Sequence, residues 1–235
     1  DIPCDAIYLD IPYMDDFKVF TWNDDLFPDP QELIDDLHDL DFRVVSIVDP
    51  GIKEEEGYEV YDSGLEIDAY IKEEGGGYYS GAVWPGFCVF PDFLRSEVRD
   101  WWCKQNKKLL ELGIDGIWND MNEPAIFFGK KEIREFLENG LEKFENEEPL
   151  SIDFHDEMRD VTEKDPSGLY HKNDDGRRIP HEKFHNLYAL YEAKGTKKAF
   201  EEIEEDKRPF ILTRSGFTGI QKYAATWTGD NSSNW

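Results

Sequence analysis

The sequence predicts an α/β fold, a parallel sheet covered by helices, and three observations carry that prediction. Short β-branched and aromatic runs recur, amphipathic helical stretches separate them, and each run ends on a charged residue. The runs are Ala6 to Asp10, Val44 to Asp49, Gly116 to Asp120, Phe210 to Arg214 and Thr226 to Asp230. Between the first two, Asp29-Pro30-Gln31-Glu32 opens a helix: Asp29 caps, Pro30 suits the first turn, Glu32 reaches back, and Leu33, Leu37 and Leu40 mark an apolar face. A second helix runs from about Phe93 to Leu112, with Asp92 as its cap, Val98, Trp101, Trp102 and Leu109 inward, and Gly113 as terminator. It feeds the third run. A third helix, from roughly Phe184 to Glu205, carries Leu187, Tyr188, Tyr191, Phe200 and Ile203, and Gly195 is expected to break it midway. Two excursions, at about 50–90 and 124–183, lose periodicity and read as long strand-to-helix loops. Within the second, Lys130 to Glu148 reads as a solvent-facing helix and Asn173-Asp174-Asp175-Gly176 as a polar turn.

Composition narrows the functional classes. Hydrophobic residues are 39% and aromatics 14% of 235 residues, enough for the core of one large domain spanning 1–235 despite 34% charge. Asp and Glu total 53 against 26 Lys and Arg, a net charge of −27 that repels nucleic acid and anionic membranes. No apolar run approaches the ~18 residues of a membrane helix. The start at Asp1-Ile2-Pro3-Cys4 carries no basic or apolar leader and suggests a processed product or a segment of a longer chain. Cysteines 4, 88 and 103 lack Cys-x-x-Cys spacing, which favours a reducing, cytoplasmic setting. The acidic pairs are scattered, and none begins the Asp-x-Asp-x-Asp-Gly loop of a calcium site, so no metal is expected.

Long excursions after strands crowd the C-terminal edge of a parallel sheet, where barrels and open sheets alike carry their sites. The strand ends collect Asp10, Asp49, Asp120, Arg214 and Asp230, with Trp84, Trp118 and Trp227 near in sequence. Each acid alone reads better as a helix cap or a solvated loop carboxylate than as a site residue. Together with tryptophans they suggest sugar, because indole faces stack on pyranose rings while acids meet hydroxyls. A rival is His181-Glu182-Lys183-Phe184-His185, which matches the His-Glu-x-x-His zinc motif of metalloproteases, although Pro180 places it at a helix start.

Trp118-Asn119-Asp120-Met121-Asn122-Glu123-Pro124 closely resembles the nucleophile segment of glycoside hydrolase family 31, the family of α-glucosidases and α-xylosidases. Tyr8-Leu9-Asp10-Ile11-Pro12-Tyr13-Met14 resembles that family's early strand, Phe210-Ile211-Leu212-Thr213-Arg214-Ser215 its arginine strand, and Trp227-Thr228-Gly229-Asp230-Asn231 its acid/base strand. Val48-Asp49-Pro50, Val83-Trp84-Pro85, Phe90-Pro91-Asp92-Phe93 and His185-Asn186-Leu187-Tyr188 also fit. The resemblance implies a (β/α)8 TIM barrel of which these motifs supply the second through sixth strands, about five of eight. It implies a retaining α-glucosidase that releases terminal glucose from α-glucoside oligosaccharides without a cofactor. Asp120 is then the nucleophile and Asp230 the acid/base. Asp10 and Arg214 bond sugar hydroxyls, and Ile11, Ile47, Trp84, Trp118, Met121 and Trp227 line the pocket. The chemistry requires separated pKa values: the Arg214 guanidinium is expected to keep Asp120 ionised and an apolar flank by Trp227 to keep Asp230 protonated. Five strands leave two open edges, so the remainder of the barrel or a second copy is the expected partner, and an inactive or sugar-binding segment is the other reading.

Overall fold

A computed structural model describes residues 2–146, 168–203 and 206–230. Its elements, in chain order, are β1 (Ala6–Leu9), α1 (Pro30–Asp39), β2 (Arg43–Val48), β3 (Ile52–Lys53), α2 (Glu59–Glu66), β4 (Lys72–Glu73), β5 (Gly81–Val83), β6 (Gly86–Val89), α3 (Ser96–Glu111), β7 (Gly116–Asn119), β8 (Phe128–Gly129), α4 (Lys130–Glu145), β9 (Leu169–Lys172), β10 (Arg178–Pro180), a helical turn (His181–Phe184), α5 (Tyr188–Ile203), β11 (Phe210–Thr213) and β12 (Ala225–Thr226). The expected helix ends at Glu148 and Glu205, and Asn231 of the last motif, lie outside the described residues.

Five parallel strands form the main sheet in the order β1-β2-β7-β11-β12. Every strand adds on the same side of its predecessor, so right-handed crossovers send the connecting helices to one face, the winding of a barrel and not of a doubly wound sheet. α1 packs on β2, α5 packs on β11, and α3 lies against α5. The sheet does not close among the described residues: β1 and β12 are its edges. Val48 pairs with Asn119, Asn119 with Thr213, and Thr213 with Thr226, so one level crosses four strands just before they end.

The helical layer shows where local signals were sufficient. In α1 the Glu32 N–H donates to Asp29 Oδ1 at 3.0 Å, the expected cap. Its buried face is centred on Ile34, however, and Leu40 is exposed because it falls at the C-cap, past the last complete turn. Nor does Gly195 break α5. A Cβ there would sit 3.2 Å from the Arg99 carbonyl oxygen and 3.4 Å from Trp102 Cδ1, so glycine permits the close approach of α5 to α3. Around that contact Trp102 meets Phe20 and Phe93, and Phe93 meets Tyr188, all with ring centroids near 5 Å.

Asp92 is not the cap of α3. That helix begins at Ser96, and Asp174 accepts from the Ser96 backbone N–H at 2.7 Å and from its hydroxyl at 3.0 Å. The cap therefore comes from the polar turn of the second excursion, where Arg177 N–H donates to Asn173 Oδ1 at 2.8 Å. Among the described residues the excursions are not loops either. The first folds as β3, α2 and β4–β6; β3, β6, β5 and β8 make one antiparallel sheet, and β4 joins β9 and β10 in another that ties the two excursions together. Strands of two to four residues are too short to display a period of two, which is why the sequence reads as loop there.

Candidate active site

The residues that follow the aligned level of the sheet are Asp49, Asp120, Arg214 and Trp227, one from each of four neighbouring strand ends. Register alone brings them together. Asp10 follows Leu9, which pairs with Ser46 of β2. The fifth strand is shorter than expected, ending at Thr226, and residues 227–230 run beyond the ladder through Gly229 at φ 75°.

Asp120 is buried, and its backbone N–H donates to the Val48 carbonyl at 3.2 Å. Arg214 Nη1 lies 3.1 Å from Asp120 Oδ1, an ion pair without hydrogen-bond alignment. The same guanidinium forks onto Glu123, with Nε to Oε1 at 3.2 Å and Nη2 to Oε2 at 2.9 Å, and Nη2 also lies 3.2 Å from Met121 Sδ. Burial pushes the Asp120 carboxyl upward; the Met121 backbone N–H and Arg214 oppose it, while the charges of Glu123 and Asp230 add to the rise. Arg214 thus lowers the pKa of Asp120 as expected, but burial outweighs it. Asp49, which the sequence placed at a strand end without a role, is also buried. Its pKa is raised to about 8 by burial first and the neighbouring Asp120 charge second, against Arg214.

A cavity of about 540 Å³ opens on this cluster, lined by Glu123, Arg214, Ser215, Thr228 and Asp230 among others. Asp230 is exposed there. Trp227 packs edge-on against Trp118 with centroids 5.7 Å apart. Trp118 also meets Tyr8 at 6.3 Å. Asp10 Oδ1 accepts from Ile11 N–H at 2.7 Å, which caps the short turn Ile11–Tyr13, and the Asp10 charge still reaches Asp49. Ile11 is half-buried; Ile47 is buried, and its carbonyl accepts from the Tyr13 hydroxyl at 3.0 Å. Met121 is buried at a left-handed φ of 52°, a conformation uncommon for a non-glycine residue and a mark of a constrained loop. Trp84 is half exposed, and its ring packs on Phe127 rather than on a member of the cluster.

The zinc reading of His181-Glu182-Lys183-Phe184-His185 gives way to a chain of rings. Asp92 Oδ1 lies 2.7 Å from His171 Nδ1, His171 Nε2 lies 2.8 Å from His181 Nδ1, and His181 Nε2 lies 3.3 Å from His185 Nδ1. Both nitrogens of His181 are turned to neighbouring rings, and burial with His171 and His185 pushes its pKa down to about 3. Two acids escaped the sequence reading. Glu123 sat inside a quoted motif without a role, and Glu192 lies buried on α5; its signal was an acid at helical spacing between Tyr188 and Thr196, on the face that packs inward.

Fold and cluster define a class: a (β/α)-barrel sheet with carboxylates and a guanidinium gathered at the C-terminal ends of its strands. Comparison with known proteins gives the family. The Glycosyl hydrolases family 31 TIM-barrel domain matches residues 1–235, and the chain belongs to that family. It is 42% identical over 235 residues to alpha-glucosidase 2 of Bacillus thermoamyloliquefaciens, covering all of this chain and 26% of that protein. To the alpha-glucosidase of Saccharolobus solfataricus it is 40% identical over 230 residues, covering 98% of this chain and 31% of that one. The chain therefore spans about a quarter to a third of the length of these relatives. Among solved structures, a Family 31 alpha-glucosidase from Bacteroides thetaiotaomicron superposes with TM-score 0.70 at 36% identity, over 100% of this chain and 32% of that one. The ER glucosidase II complex of a catalytic subunit with the binding domain of a regulatory subunit gives 0.76 at 29% identity, over 99% and 22%.

Proposed function

We propose that this chain supplies the nucleophile-bearing part of a retaining α-glucosidase barrel that removes terminal glucose from α-glucoside oligosaccharides. The observation that carries the reading is the Asp120–Arg214 pair, 3.1 Å apart, whose arginine lines one cavity with Asp230. A retaining glycosidase uses two carboxyls ~5–5.5 Å apart, one attacking the anomeric carbon and the other protonating the leaving oxygen, then activating water. Asp120 is the nucleophile: Arg214 and the Met121 backbone N–H favour its ionised form against the cost of burial. Asp230, exposed at the rim, is the acid/base that hands a proton to the leaving oxygen. Asp10 and Arg214 bond hydroxyls of the terminal glucose, while Ile11, Ile47, Trp84, Trp118, Met121 and Trp227 shape the pocket around it. Residues 1–235 form one segment of the barrel domain, with insertions at about 50–90 and 124–183, and further strands complete the inner face.

The test uses the full-length protein with an aryl α-glucoside. The first product seen by proton NMR should be α-glucose, and Asp120→Ala should lower turnover by at least about 10³-fold with partial recovery in azide. Initial release of β-glucose, or full activity of the variant, would contradict the assignment.

A further inference from the structure

Behind the Asp120–Arg214 pair lies a buried polar cluster for which the mechanism above has no use. Glu192 is fully buried on α5, and its Oε2 accepts from Asn122 Nδ2 at 2.7 Å. Asn122 is fully buried as well, two residues beyond Asp120. The same Nδ2 donates to Thr213 Oγ1 at 2.8 Å, and Asn122 Oδ1 accepts from the Ser215 backbone N–H at 3.0 Å. Thr213 and Ser215 flank Arg214, and the Thr213 hydroxyl donates to the Ser215 carbonyl at 2.8 Å. One asparagine therefore holds both neighbours of the arginine from within the loop that carries the carboxylate.

We propose that Glu192 is a positioning residue of this site: its carboxyl anchors Asn122, and Asn122 locks the Asp120 loop against the Arg214 loop. The inference rests on the reading of Asp120 and Arg214 as the working pair. Among the described residues no ion pair neutralises Glu192, since Arg214 is engaged by Asp120 and Glu123. A buried carboxylate without a cation is costly, whereas a carboxylic acid is not. The cluster also lacks a donor. Glu192 Oε1 and Asn119 Oδ1 are both buried acceptors without a partner, while Asn119 Nδ2 donates to Thr196 Oγ1, one turn after Glu192. A proton on Glu192 removes the charge and supplies the missing donor. Burial raises its pKa to about 8, against the Asn122 hydrogen bond and the neighbouring Asn119 amide, and Asp49 and Asp120 push in the same direction as burial.

Glutamine reproduces the shape and donor of the acid, whereas leucine fills the space without holding Asn122. In the full-length protein, Glu192→Gln should keep kcat within about twofold at pH 6 and lose whatever decline the wild type shows above pH 8. Glu192→Leu should lower kcat about 10- to 100-fold with KM changed less than about threefold. Its crystal structure should show the Arg214–Asp120 separation widened from 3.1 Å. A folded Glu192→Leu protein with wild-type kcat and pH profile would overturn the proposal. Should Glu192→Leu fail to fold, the pH profile of Glu192→Gln decides: an alkaline decline identical to the wild type overturns it. Failure of the underlying reading is separate, because it appears as turnover in Asp120→Ala whatever the Glu192 variants do.

Discussion

Arg214 is the residue on which the site's electrostatics turn. It holds Glu123 with two nitrogens and faces Asp120 with the third, so its planar fork spaces two acids that repel each other. Arg214→Ala should lower kcat/KM by about 10²- to 10³-fold in steady-state assays. Arg214→Lys should recover little, because an ammonium cannot hold both carboxylates in that geometry. Asp49 makes a different prediction. Its folded pKa is raised to about 8, so the folded state retains a proton that the unfolded chain releases above its ordinary carboxylate pKa of about 4. Stability is therefore lost as pH rises through that interval. Asp49→Asn should raise Tm relative to the wild type more at pH 8 than at pH 5, and equal shifts at both would show that Asp49 is ionised when folded. Asp120 and Arg214 were legible because short motifs mark strand ends. The fork onto Glu123 and the burial of Asp49 were not, since both arise from strands distant in sequence meeting in one register.

At the level of elements, the second excursion is fastened by buried polar groups. Asp92 accepts from the Lys172 backbone N–H at 2.6 Å and meets His171, which stacks with His181 and leads to His185 at the surface. The pKa of His181 is lowered to about 3 when folded, so the unfolded chain binds a proton below about 6.5 that the folded protein refuses. Its contribution is full above that pH and lost as pH falls. Urea unfolding should show wild-type stability declining from pH 7 to pH 4 more steeply than that of His181→Asn; parallel curves would mean that His181 does not titrate in this way. This chain of rings explains why the His-Glu-x-x-His spacing misled: helical periodicity places two histidines on one face but says nothing of a third from β9. Likewise, the cap signal at Asp92 was real chemistry assigned to the wrong donor, with Asp174 filling the place at Ser96.

The whole molecule is a run of consecutive barrel strands, and this much was legible, because strand, helix, strand in alternation admits few topologies. The two small antiparallel sheets above it were hidden, as their strands pair across the excursions and are too short for periodicity. The net charge of −27 leaves 26 Lys and Arg among 53 acids, and surface ion pairs such as Lys108–Glu59 and Lys131–Glu135 add little stability individually, which fits a solvated coat more than a structural framework. Against that coat four buried acids stand out among the described residues: Asp92 meets His171, Asp49 and Asp120 are brought together by strand register, and Glu192 joins them from α5. The proposed chemistry requires one of them to form a bond to sugar. Incubating the full-length protein with a fluorinated α-glucosyl fluoride that slows breakdown of the intermediate, followed by peptide mapping in a mass spectrometer, reads that bond directly. The adduct should lie on Asp120. A label on Asp49, Asp230 or any other residue would contradict the account.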